Sequence, residues 1–201
     1  TQLKSDNTTY TTFGEFACNL PIGSYTLVAI GRNYWEGDEF VLTSPTSAGY
    51  TSERPRETFC ATQSVSVNST TPLNFSVTLS RVIAQVYVKS TDGRPDNVVK
   101  IRTTYAEGSK SFSPTTGLAI DNNGFAQTNT PSTDAGTPIN VYSNVFLSTD
   151  EQTMNITLKR QASNMVTIRC ATSTAMMATT INNSARVKPF LLFFFMLSSF
   201  P

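Results

Sequence analysis

The chain has 201 residues, room for one large domain or two small ones, with a charged fraction of 14% and a formal net charge of +1. Soluble domains average about 25% charged residues, so this surface relies on Thr, Ser, Asn and Gln, and its scattered, balanced Lys and Arg exclude an electrostatic footprint for nucleic acid. Histidine is absent, which excludes His triads, His-ligated zinc and imidazole general bases.

The opening TQLKSDNTTY lacks the apolar core of a signal peptide. From Gly14 to Ile30 the text is GEFACNLPIGSYTLVAI. Its Pro21-Ile22-Gly23 turn leads into SYTLVAI, apolar on both alternating faces, which predicts a strand buried on both sides. The Gly-, Pro- and Asn-rich stretch that follows predicts loops around a short strand near Phe40–Leu42. FCATQSVSVNS then alternates again, with Val65 and Val67 on one face. NSTTP (68–72) marks a composition break and is expected to join a first unit, 1–68, to a second, 69–169.

The segment LNFSVTLSRVIAQVYV (73–88) alternates but changes phase. Leu73, Phe75, Val77 and Leu79 are apolar at odd positions; Val82, Ala84, Val86 and Val88 are apolar at even ones. A pleated strand has period two, so one extra residue sends every later side chain to the opposite face. A bulge or a sheet-switching corner in one long strand is expected at Ser80-Arg81, with the Arg81 guanidinium placed to hold carbonyls or a carboxylate. Such a strand carries neither Lys nor Pro between Leu73 and Ser80 to blunt an exposed edge, and unpaired strand borders invite another strand to add.

TDGRPDN (91–97) suits a tight hairpin turn, and VVKIRTTY (98–105) the next strand. Further short strands and turns follow. TMNITLKR (153–160) points Met154, Ile156 and Leu158 inward, and MVTIR (165–169) closes the strand pattern. No apolar stripe of period 3.6 persists for three turns, so the expectation is an all-β sandwich or barrel. Residues 170–201 differ in kind: CATSTAMMATTINNSARVKP lacks alternation, and FLLFFFMLSSF (190–200) is apolar but shorter than the roughly 20 residues of a membrane-spanning helix. A one-nucleotide shift in permitted codons turns part of this tail into an ordinary polar segment, so an out-of-frame ending is expected, a hydrophobic anchor or sorting signal being the alternative.

The three cysteines, Cys18, Cys60 and Cys170, have no metal-ligand spacing. Cys18 and Cys60 are candidates for a disulfide in an exported chain, or for small buried thiols. Tyr34 and Trp35, in the acidic loop NYWEGDEF, are a candidate sugar-stacking pair or a partly buried anchor. DNNG (121–124) and TDG (91–93) lack a full calcium-loop pattern and read as turns. Neither a cofactor nor a metal site is expected, and no enzymatic activity.

Three blocks in order, LPIGSYTLVAIG, LNFSVTLSRVIAQVYVKSTDGRPDNVVKI and VFLSTDEQTMNITLKRQASNMVTIR, resemble the fimbrillin superfamily of Bacteroidia, with the minor, anchor-type fimbrial subunits the closest branch. In that family an L-x-R-x-x-A-x-V core opens the second domain; here its positions are Leu79, Arg81, Ala84 and Val86. The resemblance implies tandem transthyretin-like Greek-key β-sandwich domains, the first partial because the lipidated cysteine and early strands of a full subunit are not present. It implies export by the lipoprotein route, display at the outer membrane in a fimbrium, and assembly with other fimbrial subunits by strand addition. Leu73, Phe75, Val77, Leu79 and Arg81 are the candidate strand-addition and structural residues. The alternative function is a carbohydrate-binding outer-membrane surface lipoprotein, with host or bacterial surface glycans as partners.

Overall fold

The structure, a computed structural model, describes residues 15–33, 39–51, 54–131, 134–150, 152–160, 165–168 and 190–197. Its strands in chain order are β1 (Gly23–Arg32), β2 (Phe40–Ser44), β3 (Ser47–Tyr50), β4 (Thr58–Val67), β5 (Ser80–Arg81), β6 (Ile83–Gly93) and β7 (Val98–Tyr105). They continue with β8 (Ser111–Phe112), β9 (Ala119–Ile120), β10 (Phe125–Asn129), β11 (Pro138–Phe146), β12 (Met154–Arg160), β13 (Met165–Ile168) and β14 (Phe190–Leu197). The ladders are antiparallel and the described residues contain no helix, so the all-β reading holds. Among the described residues four sheets form, ordered β14-β1-β4-β5, β2-β3-β8-β9, β10-β7-β12-β13 and β11-β6.

β1 is buried on both faces, as its doubly apolar text implies: Tyr25, Leu27 and Ala29 on one, Val28 and Ile30 on the other. It runs between β4 and β14, with Leu27 opposite Gln63 and Phe195. The apolar run Phe190–Leu197, too short to span a bilayer as a helix, is thus a strand whose backbone groups are paired along β1. The Val28–Ile30 face contributes to a core of Ala48, Tyr50, Cys60, Val82, Ile83, Phe112 and Phe146. Phe112 stacks on Phe146 at 4.7 Å between ring centroids, and Tyr50 stacks on the same ring at 6.2 Å. Strands on either side of residues 68–72 meet here: Ala48 of β3 pairs with Phe112 of β8, and Phe59 of β4 with Arg81 of β5.

The remaining core is a sandwich. The β6–β11 ribbon lays Val86, Val88, Ile139, Val141 and Val145 against Ile101, Tyr105, Phe125, Met154, Ile156 and Leu158 of the β10-β7-β12-β13 sheet. Met154, Ile156 and Leu158 all take the inward phase expected of them. The buried Tyr105 and Ser143 hydroxyls hydrogen-bond across the sandwich, satisfying two polar groups that burial would otherwise penalise.

Two expectations are corrected. TDGRPDN does not close a hairpin: its first three residues, TDG, end β6 rather than forming a turn, β6 pairs with β11 whereas β7 pairs with β10 and β12, and residues 94–97 carry the chain from one sheet to the other. Packing decides this, because β6 and β7 bury their apolar faces against each other and cannot also lie edge to edge. Nor do residues 73–88 form one long strand. Residues 72–79 have no ladder, and regular pairing starts at β5.

Candidate functional site: an unladdered segment leading into a sheet corner

The corner predicted from the phase change is present one residue beyond its expected place. Val82 and Ile83 are buried in succession, after the exposed pair Ser80-Arg81. The Val82 N–H donates to the Thr58 carbonyl at 3.1 Å, tying it to β4, while its carbonyl accepts from the Leu147 N–H at 3.1 Å, just past β11. One residue between β5 and β6 is therefore tied to both sides of the corner, and the side-chain phase changes there.

Arg81 braces the corner. Its guanidinium pairs with the Glu57 carboxylate and lies over the Phe59 ring, 5.5 Å from the centroid. Phe59 is also its ladder partner in β4. The charge is thus spent on a carboxylate at the mouth of β4, with the aromatic face as a second attraction.

Before this corner lie the other candidates. Leu73 is 56% exposed and Phe75 44%. Val77 and Leu79 are half-buried, with exposed Ser76 and Thr78 between them. The period-two apolar row read from the sequence is therefore real in composition but has no strand partner among the described residues. β4 meanwhile pairs with β5 only at Phe59 and Cys60, so its border from Ala61 to Val67 has no described strand on that side. Continuing the β4–β5 register would set Leu79, Val77, Phe75 and Leu73 opposite Ala61, Gln63, Val65 and Val67. Among the described residues, then, β4 has an unpaired border, and the apolar row has no ladder. Each main-chain bond made there contributes about 1 kcal/mol net, and burying a Leu or Phe side chain about 2 kcal/mol.

Cys18 and Cys60 do not pair. Both are free thiols, Cys18 exposed before β1 and Cys60 buried in β4 opposite Ile30. Burial pushes the Cys60 thiol up to about 12 despite a hydrogen bond from Thr62 that lowers it. Cys60 is a core residue, the second of the two readings of its sequence. Tyr34 and Trp35 lie outside the described residues. DNNG is a turn before β10: Gly124 has φ of 74° and donates its N–H to the Gly108 carbonyl at 2.9 Å. Among the described residues no three acidic or thiol side chains cluster as metal ligands would.

Sequence reasoning overlooked an exposed tyrosine pair, Tyr87 of β6 and Tyr142 of β11, directly opposite each other in the ladder. The signal was available in AQVYVK, where Tyr87 shares the outward phase with Gln85 and Lys89.

These features define an antiparallel β-sandwich protein in which, among the described residues, one sheet border is unpaired. A crystal structure named "a putative adhesin from Bacteroides ovatus" is similar in fold, with a TM-score of 0.55 and 11% sequence identity; the match covers 75% of this chain and 66% of that one. At such identity the likeness concerns the fold alone. No family model and no curated protein sequence matches the chain.

Proposed function

We propose that the chain is a structural subunit of a cell-surface adhesive fibre, fimbrillin-like, with transthyretin-like sandwich units, exported to the outer membrane and joined to neighbouring subunits by strand addition. It acts through its backbone borders and performs no catalysis. What carries this reading is residues 73–79, apolar in alternate positions and without a ladder, leading into β5, whose register, if continued, would lay them along the Ala61–Val67 border of β4, where no described strand pairs. An added strand would gain main-chain hydrogen bonds along that border, and its alternate side chains would give the pairing its register. The fold likeness to a Bacteroides ovatus protein named as an adhesin is in keeping with this role.

The test is assembly. Purified chain incubated with its co-expressed neighbours should form SDS-resistant, heat-labile oligomers, and the double change Leu73→Asp, Phe75→Asp should prevent them. Oligomers that form equally well with both aspartates in place would remove strand addition through this segment.

A further inference from the structure

We propose that the outward face of the β6–β11 ribbon binds an acidic saccharide, with Tyr87 and Tyr142 under the sugar ring and Lys89 on its carboxylate. Toward Ile83 and Phe146 the ribbon is buried on both faces, but over Gln85–Lys89 and Asn140–Tyr142 it is packed on one face only. Its other face presents Gln85, Tyr87, Lys89, Asn140 and Tyr142, all exposed. Tyr87 and Tyr142 are ladder partners, 57% and 55% exposed, with ring centroids 6.0 Å apart and planes tilted by 45°. Two large aromatic rings held side by side on regular strands present π faces to the C–H face of a pyranose, and their hydroxyls stay in water.

The surrounding groups suit hydroxyls. Tyr87 Oη donates to Gln85 Oε1 at 2.6 Å, which fixes the ring beside an amide. Asn140 stands opposite Lys89. Amides supply donors and acceptors together, as a polyol needs. Lys89 Nζ lies 5.9 Å from the Tyr87 ring centroid and is the one charged side chain in Gln85–Lys89 and Asn140–Asn144. A single ammonium, with no carboxylate in either stretch, complements an anionic ligand.

The face is too small for a protein partner. Two half-exposed tyrosines offer on the order of 200 Å² of ring surface, against about 800 Å² per partner in a stable protein interface. A saccharide needs no more than these rings and a few polar groups. The inference rests on the adhesion part of the reading above and not on strand addition.

The experiment titrates the full chain with sialyllactose and trigalacturonate, using lactose and maltotriose as neutral counterparts, by calorimetry and tyrosine-ring NMR. The acidic sugars should bind with a dissociation constant of about 1 mM and the neutral ones about tenfold more weakly. Tyr87→Ala and Tyr142→Ala should each weaken binding about tenfold or more, Tyr87→Phe should retain it, and Lys89→Met should abolish the preference for acid while keeping neutral binding. Circular dichroism and melting verify the fold of each variant; these side chains are exposed, so it should persist. No saturable binding, binding indifferent to both alanine changes, an acid preference that survives Lys89→Met, or a dimer dispersed by Tyr87→Ala without sugar binding would each overturn the inference. Titration and oligomer assembly are separate readouts, so either can fail while the other stands.

Discussion

Arg81 of β5 is paired with Glu57, the residue just before β4, while its guanidinium also covers the Phe59 ring of the facing ladder position. The arrangement pins the two-residue strand to the sheet at the point where the chain leaves for the ribbon. Arg81→Met should lower stability by about 1 kcal/mol, the range of a partly exposed ion pair. Denaturant melts at low and high salt check it: the loss should shrink with salt, because screening already weakens the pair in the parent protein.

The Leu73, Phe75 pair offers a contrasting outcome. Both side chains are largely exposed in a segment without ladder bonds. Changing both to Asp should leave the melting of the isolated chain within about 0.5 kcal/mol of the parent while eliminating oligomers. A buried structural role would instead appear as a large loss in the monomer itself.

The two described cysteines should separate cleanly in reactivity. Burial pushes the Cys60 thiol up to about 12 and shields it, whereas Cys18 is exposed to reagent. Of these two, Cys18 should therefore be labelled by a thiol reagent at pH 8, and Cys60 only in denaturant. The linkage has a definite sign. The unfolded thiol loses its proton near its ordinary 9.0, below the folded value, so the unfolded state is favoured as pH rises between them. The Cys60 contribution to stability is full below pH 9 and is lost toward pH 12; Cys60→Ala should flatten that part of the pH profile.

At Gly93, paired with Pro138 at the end of the ribbon, the backbones approach so closely that a Cβ would lie 2.3 Å from the Gly136 carbonyl oxygen. The obstacle is backbone and cannot rotate away. Gly93→Ala should destabilise the chain by about 1–3 kcal/mol, the usual range for overpacking, measured by thermal and urea unfolding.

Across the sandwich, Tyr105→Phe would leave the buried Ser143 hydroxyl without its partner. The expected loss is about 1–3 kcal/mol. The double change Tyr105→Phe, Ser143→Ala should recover part of it, since removing both hydroxyls leaves no unpaired group. Unfolding of the three variants checks the coupling.

Much of the architecture was legible because strand periodicity is local. SYTLVAI announced a doubly buried strand, TMNITLKR its inward phase, and the parity change at 80–82 a corner, each from side-chain order alone. The candidate site was legible only in part. The apolar row at 73–79 could be read, but its lack of a ladder could not, because an alternating segment looks alike whether paired or waiting for a partner. Tyr87 and Tyr142 lie 55 positions apart in sequence, and only the β6–β11 register makes them neighbours.

By itself, then, the order of residues determined that the chain extends into antiparallel strands, which faces they bury and where their phase changes, since period-two burial and turn chemistry act over a few residues. Tertiary structure decided that TDGRPDN leads from one sheet to the other, that Cys60 packs as a lone thiol, that Phe190–Leu197 lies along β1, and that β4 meets β5 at only two residues. Those outcomes depend on which distant edges and faces meet, and pairing between strands far apart in the chain is selected by the packing of the whole core rather than by any local signal.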